Sequence, residues 1–170
     1  MWPDDPRQAP ARVGPELHQL EAFLDWHRAT IELKCHGVPE GRLSCRAVPP
    51  SSLSLHGLLR HLAGVERWWF RIQFAGEEVP LLHYSDADPD QDFDDLEGDV
   101  GEALAEWRAE CQRSREIVAA AVTLDQTAAR DLGRGPFTLR WLLLDMIGEY
   151  ARHCGHADLL RERIDGATGL

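Results

Sequence analysis

None of the four cysteines, Cys35, Cys45, Cys111 and Cys154, has a partner at CxxC spacing, which excludes a zinc ribbon and leaves no dense disulfide framework. Buried, reduced thiols are expected. Basic residues are also short, with 18 Lys and Arg against 29 Asp and Glu and a formal charge of -11. Binding along a phosphate backbone draws its affinity from clustered cations, so neither nucleic acid nor an anionic membrane surface suits this chain as a partner. No apolar run comes near the ~20 residues that cross a bilayer. The opening Met1-Trp-Pro-Asp-Asp-Pro lacks the cationic start and apolar stretch of a secretory signal, and a cytoplasmic protein is expected. Sustained strand-like alternation is missing too, while 44% apolar and 28% charged residues suffice for one globular core. The expectation is an all-α single domain over 1–170.

What is present reads as four amphipathic helices. Leu17, Leu20, Leu24 and Ile31 recur at helical spacing behind Pro15 and Glu16, predicting a first helix over about 15–36 after an extension at 1–14. His36-Gly37 with Pro39 beyond is its stop. Ser51, Ser52 and Ser54 offer cap oxygens to a second helix over about 54–75, whose apolar face is Leu55, Leu58, Leu59, Leu62, Val65, Trp69 and Ile72. Beyond Gly76, an acidic crossover at 76–96 carries Asp86, Asp88, Asp90, Asp92, Asp94 and Asp95 and reads as a solvated loop. A calcium loop would need a central Gly and a terminal Glu in register, which this run does not supply. Val100, Leu104, Trp107, Cys111, Ser114 and Val118 mark a third helix over about 97–122. Thr138 is a cap for a fourth that runs to about Ile164, with Gly166 as its stop. Four such helices argue for a four-helix bundle.

Alternating steps of three and four along the fourth helix pick out Leu139, Leu142, Met146, Glu149, His153, His156 and Leu160. The steps average 3.5 residues, so all seven share one inward seam, and the middle of that seam is an acid and two imidazoles. A carboxylate taken out of water must be paired, protonated or bound to a cation. Positions i and i+4 lie about 40° apart around a helix and one turn along it, so Glu149 and His153 can enter one coordination sphere. The second helix has a matching anomaly, His61 in the seam Leu58, His61, Val65, Trp68 and Ile72. Two ligands from one helix and one from another would leave coordination positions open, the arrangement of a catalytic metal. His61, Glu149 and His153 are therefore the candidate metal ligands.

Other polar residues have weaker cases. His27 continues the seam of the first helix, and His156 lies near Glu149 but two turns on, so both are candidates for supporting or substrate-facing roles, as is Glu66. Glu32 and His36 share the four-residue spacing, but the dipole at a helix end explains His36. His18 and His56 read as surface residues, His83 belongs to the crossover, and Trp68, Trp69, Trp107 and Trp141 read first as core.

Phe23-Leu24-Asp25-Trp26, Arg46-Ala47-Val48-Pro49-Pro50-Ser51, Leu58-Leu59-Arg60-His61-Leu62 with Val65-Glu66, and Glu149-Tyr150-Ala151-Arg152-His153 with Gly155-His156-Ala157-Asp158 carry a resemblance over nearly the whole chain. By these blocks the chain resembles the DinB-like superfamily of metal-binding bundles, in its branch of short actinobacterial proteins related to mycothiol-dependent maleylpyruvate isomerase. The resemblance implies an up-down-down-up four-helix bundle with a long middle crossover and frequent homodimers. It also implies zinc, nickel or a similar divalent ion on residues matching His61, Glu149 and His153. For chemistry it implies a low-molecular-weight thiol such as mycothiol, held as a thiolate and used or transferred onto a small electrophile, as in a thiol S-transferase or isomerase. Two other readings stay open: a metal-dependent hydrolase using Glu66 or His156 as base, and a non-catalytic metal-binding scaffold.

Overall fold

A computed structural model describes residues 7–94, 96, 98–131, 133 and 135–169. The Met1–Pro6 opening, Asp95 of the acidic run, the expected helix start at 97 and the chain end at 170 lie outside the described residues. The helices are α1 (Glu16–Cys35), α2 (Glu40–Leu43), α3 (Leu55–Glu66), α4 (Gln91–Asp94), α5 (Val100–Ala120) and α6 (Leu139–Asp165). A π-helical segment, Arg67–Phe74, continues α3. The protein is thus all-helical, and the pairing of Thr127 with Thr138 is an isolated bridge. No helix among the described residues is long and apolar enough to cross a membrane.

The chain forms two compact units, one of Met1–Leu55 with Leu143–Leu170 and one of His56–Leu142. In the first, α1 buries Leu24 and Ile31, and α6 buries Met146, Tyr150, Ala157, Leu160 and Ile164. Gly37, at φ 74, turns the chain away from α1. Its orphan carbonyls are capped from outside by Arg161, whose Nη1 donates to the carbonyls of Lys34 at 3.0 Å and His36 at 2.8 Å. Such end carbonyls otherwise have no partner within the helix.

In the second unit, Leu58, Leu59, Leu62, Phe70 and Phe74 are buried together with Val100, Ala103, Trp107, Cys111 and Val118 of α5. Asp99 caps α5, its Oδ1 accepting from the Gly101 amide at 2.6 Å. The wide turn of the π segment, seen in the bond from the Ala75 amide to the Phe70 carbonyl at 2.9 Å, corrects the regular seam expected there. Ile72, Gln73 and Phe74 are buried in succession, while Trp68 and Trp69 stay half-buried. A larger number of residues per turn breaks the 3.5-residue step on which that seam rested. Glu110 of α5, itself buried, fastens the segment by accepting from Arg67 Nη2 at 2.6 Å and Arg71 Nη1 at 3.0 Å.

Four expectations are corrected by burial. His56 is 1% exposed rather than a surface histidine, and Trp141 is 45% exposed rather than core. Cys45 is exposed, unlike the other three thiols. The acidic crossover is solvated at Asp86, Asp88 and Asp90 but not at Asp92, which is buried. Gly64 explains how the crossover comes so close to α3: a Cβ there would stand 2.7 Å from the Leu82 carbonyl oxygen and 3.1 Å from the Tyr84 ring.

Candidate metal centre

His61 occupies a turn of α3 whose neighbours Leu58, Leu59 and Leu62 are all buried. Its Nδ1 lies 2.7 Å from Oδ2 of Asp92, and its ring stacks on Phe93 at 5.1 Å between centroids. Nearby, Arg60 Nη2 donates to the Gln91 carbonyl at 3.2 Å, which helps to hold the one-turn helix α4 in place. A buried carboxylate accepts the proton of Nδ1, which fixes the tautomer and presents the lone pair of Nε2. That is the usual support of a metal-ligating imidazole. The other oxygen of Asp92, Oδ1, is buried without a hydrogen-bond partner.

Sequence reading missed Asp92 because five more aspartates surround it and only tertiary structure selects one. The signal that could have found it is Phe93, a large apolar residue inside an acidic run. Such a residue pulls its neighbours toward an interior.

Along α6, Leu139, Leu142, Met146 and Leu160 are at most 1% exposed and His153 is buried, so the inward seam read from the sequence is real. Glu149 and His156 are half-buried within it. His153 Nε2 lies 3.0 Å from Glu149 Oε1, an acid and an imidazole that either a proton or a cation can hold together. Arg152 donates to the other oxygen, Oε2, at 2.7 Å. His156 Nδ1 stands 3.3 Å from His153 Nδ1, with the two rings edge to face. A carboxylate tethered on one side by an exposed arginine keeps its second oxygen for the seam.

Of the three candidate ligands, Glu149 and His153 stand together in the first unit and His61 lies in the second. Two imidazoles and a carboxylate suit zinc, nickel and iron alike, and the residues present fit such an ion. His27 and Glu66 have partners of their own. His27 is engaged with Cys154, whose Sγ is 3.5 Å from the His27 carbonyl oxygen and 3.9 Å from Nδ1. Burial, helped by Arg7, lowers the His27 pKa and keeps the ring neutral. Glu66 is fully buried and accepts a hydrogen bond from the Cys111 thiol at 3.5 Å.

Two of the chain's own thiols, Cys35 and Cys154, are poor nucleophiles. Burial pushes Cys35 and Cys154 up to about 12, and a thiol held protonated does not attack.

A family model described as mycothiol-S-transferase matches residues 19–166. The chain belongs to this family, a DinB-like family related to mycothiol-dependent enzymes, as the resemblance implied. A search of curated proteins finds no match.

Proposed function

From membership of the mycothiol-S-transferase family we propose that the chain is a metal-dependent thiol S-transferase, with His61, Glu149 and His153 as ligands of one divalent ion, zinc or nickel. In this reading α1, α3 with its π extension, α5 and α6 are the members of an up-down-down-up four-helix bundle, forming one domain, and the protein works in the cytoplasm as a homodimer. A divalent ion there supplies a positive centre that binds a small thiol such as mycothiol and lowers its pKa. Glu149 and His153 hold the ion from α6, and His61 holds it from α3 with Asp92 setting its tautomer. His156 steadies the ring of His153.

The observation that carries the reading is the 2.7 Å bond from His61 Nδ1 to buried Asp92. A histidine with no ligand to hold has little need of a carboxylate withdrawn from a solvated loop, since desolvating that acid is unfavourable. Hydrolysis is less well supported. It needs a base beside a bound water, and of the two candidates Glu66 is occupied by Cys111 and His156 by His153.

Elemental analysis of protein purified without an affinity tag tests the reading, together with consumption of monochlorobimane in the presence and absence of mycothiol. About one equivalent of zinc or nickel is expected, lost in His61→Ala and in His153→Ala, with thiol-dependent turnover only in the loaded protein. Metal retained in both variants, or equal rates with and without protein, would overturn it.

A further inference from the structure

A cavity of about 740 Å³ opens beside the π-helical segment, lined by Trp68 and Trp69 together with Gly135, Pro136, Phe137, Thr138 and Trp141. Its volume falls in the range of about 300–1,000 Å³ that holds one small organic molecule. Three of its rings form a cluster, with Trp69 5.6 Å from Phe137, Trp69 5.5 Å from Trp141 and Phe137 5.4 Å from Trp141.

A closed aromatic core would hide such rings. Here Trp141 is 45% exposed and Trp68 and Trp69 are half-buried, although leaving large apolar surface in water is unfavourable. The lining contains no ionisable side chain, so a charged guest would lose its hydration without gaining a counter-charge. Flat uncharged rings, by contrast, gain both apolar burial and edge or face contacts.

Two further features set this place apart. Trp68 and Trp69 ride on a π-helical turn, a rare geometry that collects at functional sites, and the buried Glu110 holds that turn through Arg67 and Arg71. Trp68 follows His61 by seven residues on one continuous helix, about 10 Å along its axis. That is the span of a small molecule.

We propose that this aromatic cavity binds a planar, uncharged aromatic molecule and, resting on the thiol-transfer reading above, that it seats the body of an aryl-bearing alkyl halide acceptor, whose carbon forms the C–S bond as its C–halogen bond breaks, halide leaving and the thiol proton passing to solvent. The first part needs neither metal nor thiol, so it is measured in their absence. Dansylamide, neutral and fluorescent, is titrated into metal-stripped protein while energy transfer from tryptophan is followed. Saturable one-site binding is expected, weakened about tenfold or more by Trp141→Ala and unaffected by Trp26→Phe, a ring outside the cavity lining. Trp141 is 45% exposed, so its truncation is expected to leave the fold intact, as far-ultraviolet circular dichroism of the variant will verify.

Absent binding, binding unchanged in both Trp141→Ala and Trp69→Ala, or tighter binding of the cation trimethylphenylammonium would overturn the cavity assignment. Turnover separates the two proposals. If thiol transfer occurs and Trp141→Ala leaves the KM for an aromatic acceptor unchanged, the acceptor role fails while the transferase reading stands. If dansylamide binds as expected but no thiol is transferred, the transferase reading fails and the cavity remains.

Discussion

The two histidines proposed as ligands are supported in opposite ways. His153 takes its carboxylate from Glu149, four residues away on the same helix, whereas His61 takes its from Asp92, 31 residues away in a segment of acids. The first pair is built by helical geometry alone and forms wherever α6 forms. The second requires the crossover to fold back, to press Phe93 onto the imidazole and to bury one aspartate among several. Local pairing is robust and gives little control, while distant pairing ties the proposed metal site to the conformation of a loop.

Removing each carboxylate in turn breaks this comparison most directly. Glu149→Gln removes a proposed ligand and is expected to abolish stoichiometric metal binding. Asp92→Asn leaves all three proposed ligands and removes only the acceptor at Nδ1, so metal affinity should fall by about 10–100-fold, measured by competition with a chelating dye. Equal losses in the two variants would mean that Asp92 is itself a ligand. No loss in Asp92→Asn would mean that its bond to His61 is structural only.

A substitution at the contact that seats the crossover sharpens it next. In Gly64→Ala the new Cβ meets the Leu82 carbonyl, a backbone atom that cannot swing aside. A destabilisation of about 1–3 kcal/mol is expected from such overpacking, read by urea denaturation, with metal affinity falling alongside because Asp92 is carried by the same segment. Gly148→Ala, on α6 where nothing approaches the added carbon, is the matched control and should be neutral or slightly stabilising.

Acid gives the smallest effect. Burial lowers the pKa of His27 in the first unit and of His56 and His83 in the second, with Arg7 acting further on His27 and Arg60 on the other two. A histidine whose folded pKa is lowered takes up its proton more readily once unfolded. These groups therefore leave stability intact above an ordinary histidine pKa of about 6.5 and reduce it as the pH falls below that value. Two of the three lie in the unit His56–Leu142, so hydrogen exchange at pH 5.5 compared with pH 7.5 should accelerate there more than along α1. The reverse order would show that buried histidines do not set the acid response.

Helix by helix, the chain announced most of its architecture. The expected first helix at about 15–36 forms as Glu16–Cys35, and the expected fourth forms as Leu139–Asp165. Pro15, Thr138, Gly37 and Gly166 act on their immediate neighbours, so their effect is readable without knowing the fold. Glu149 and His153 were legible for the same reason, being four residues apart on a seam otherwise filled by Leu139, Leu142, Met146 and Leu160. Trp68 and Trp69 were not, because a π turn beginning at Arg67 depends on what the segment packs against, including buried Glu110. Burial of His56 and exposure of Trp141 are likewise set by neighbours far along the chain.

Periodicity, caps and composition thus determined by themselves that the chain is helical, where its long helices lie and which polar residues intrude on their apolar faces. Only the tertiary structure decided which of the crossover aspartates supports His61 and where the tryptophans gather around open space. Those outcomes depend on which surfaces exclude water together, a property of contacts between residues distant in sequence that no local pattern encodes.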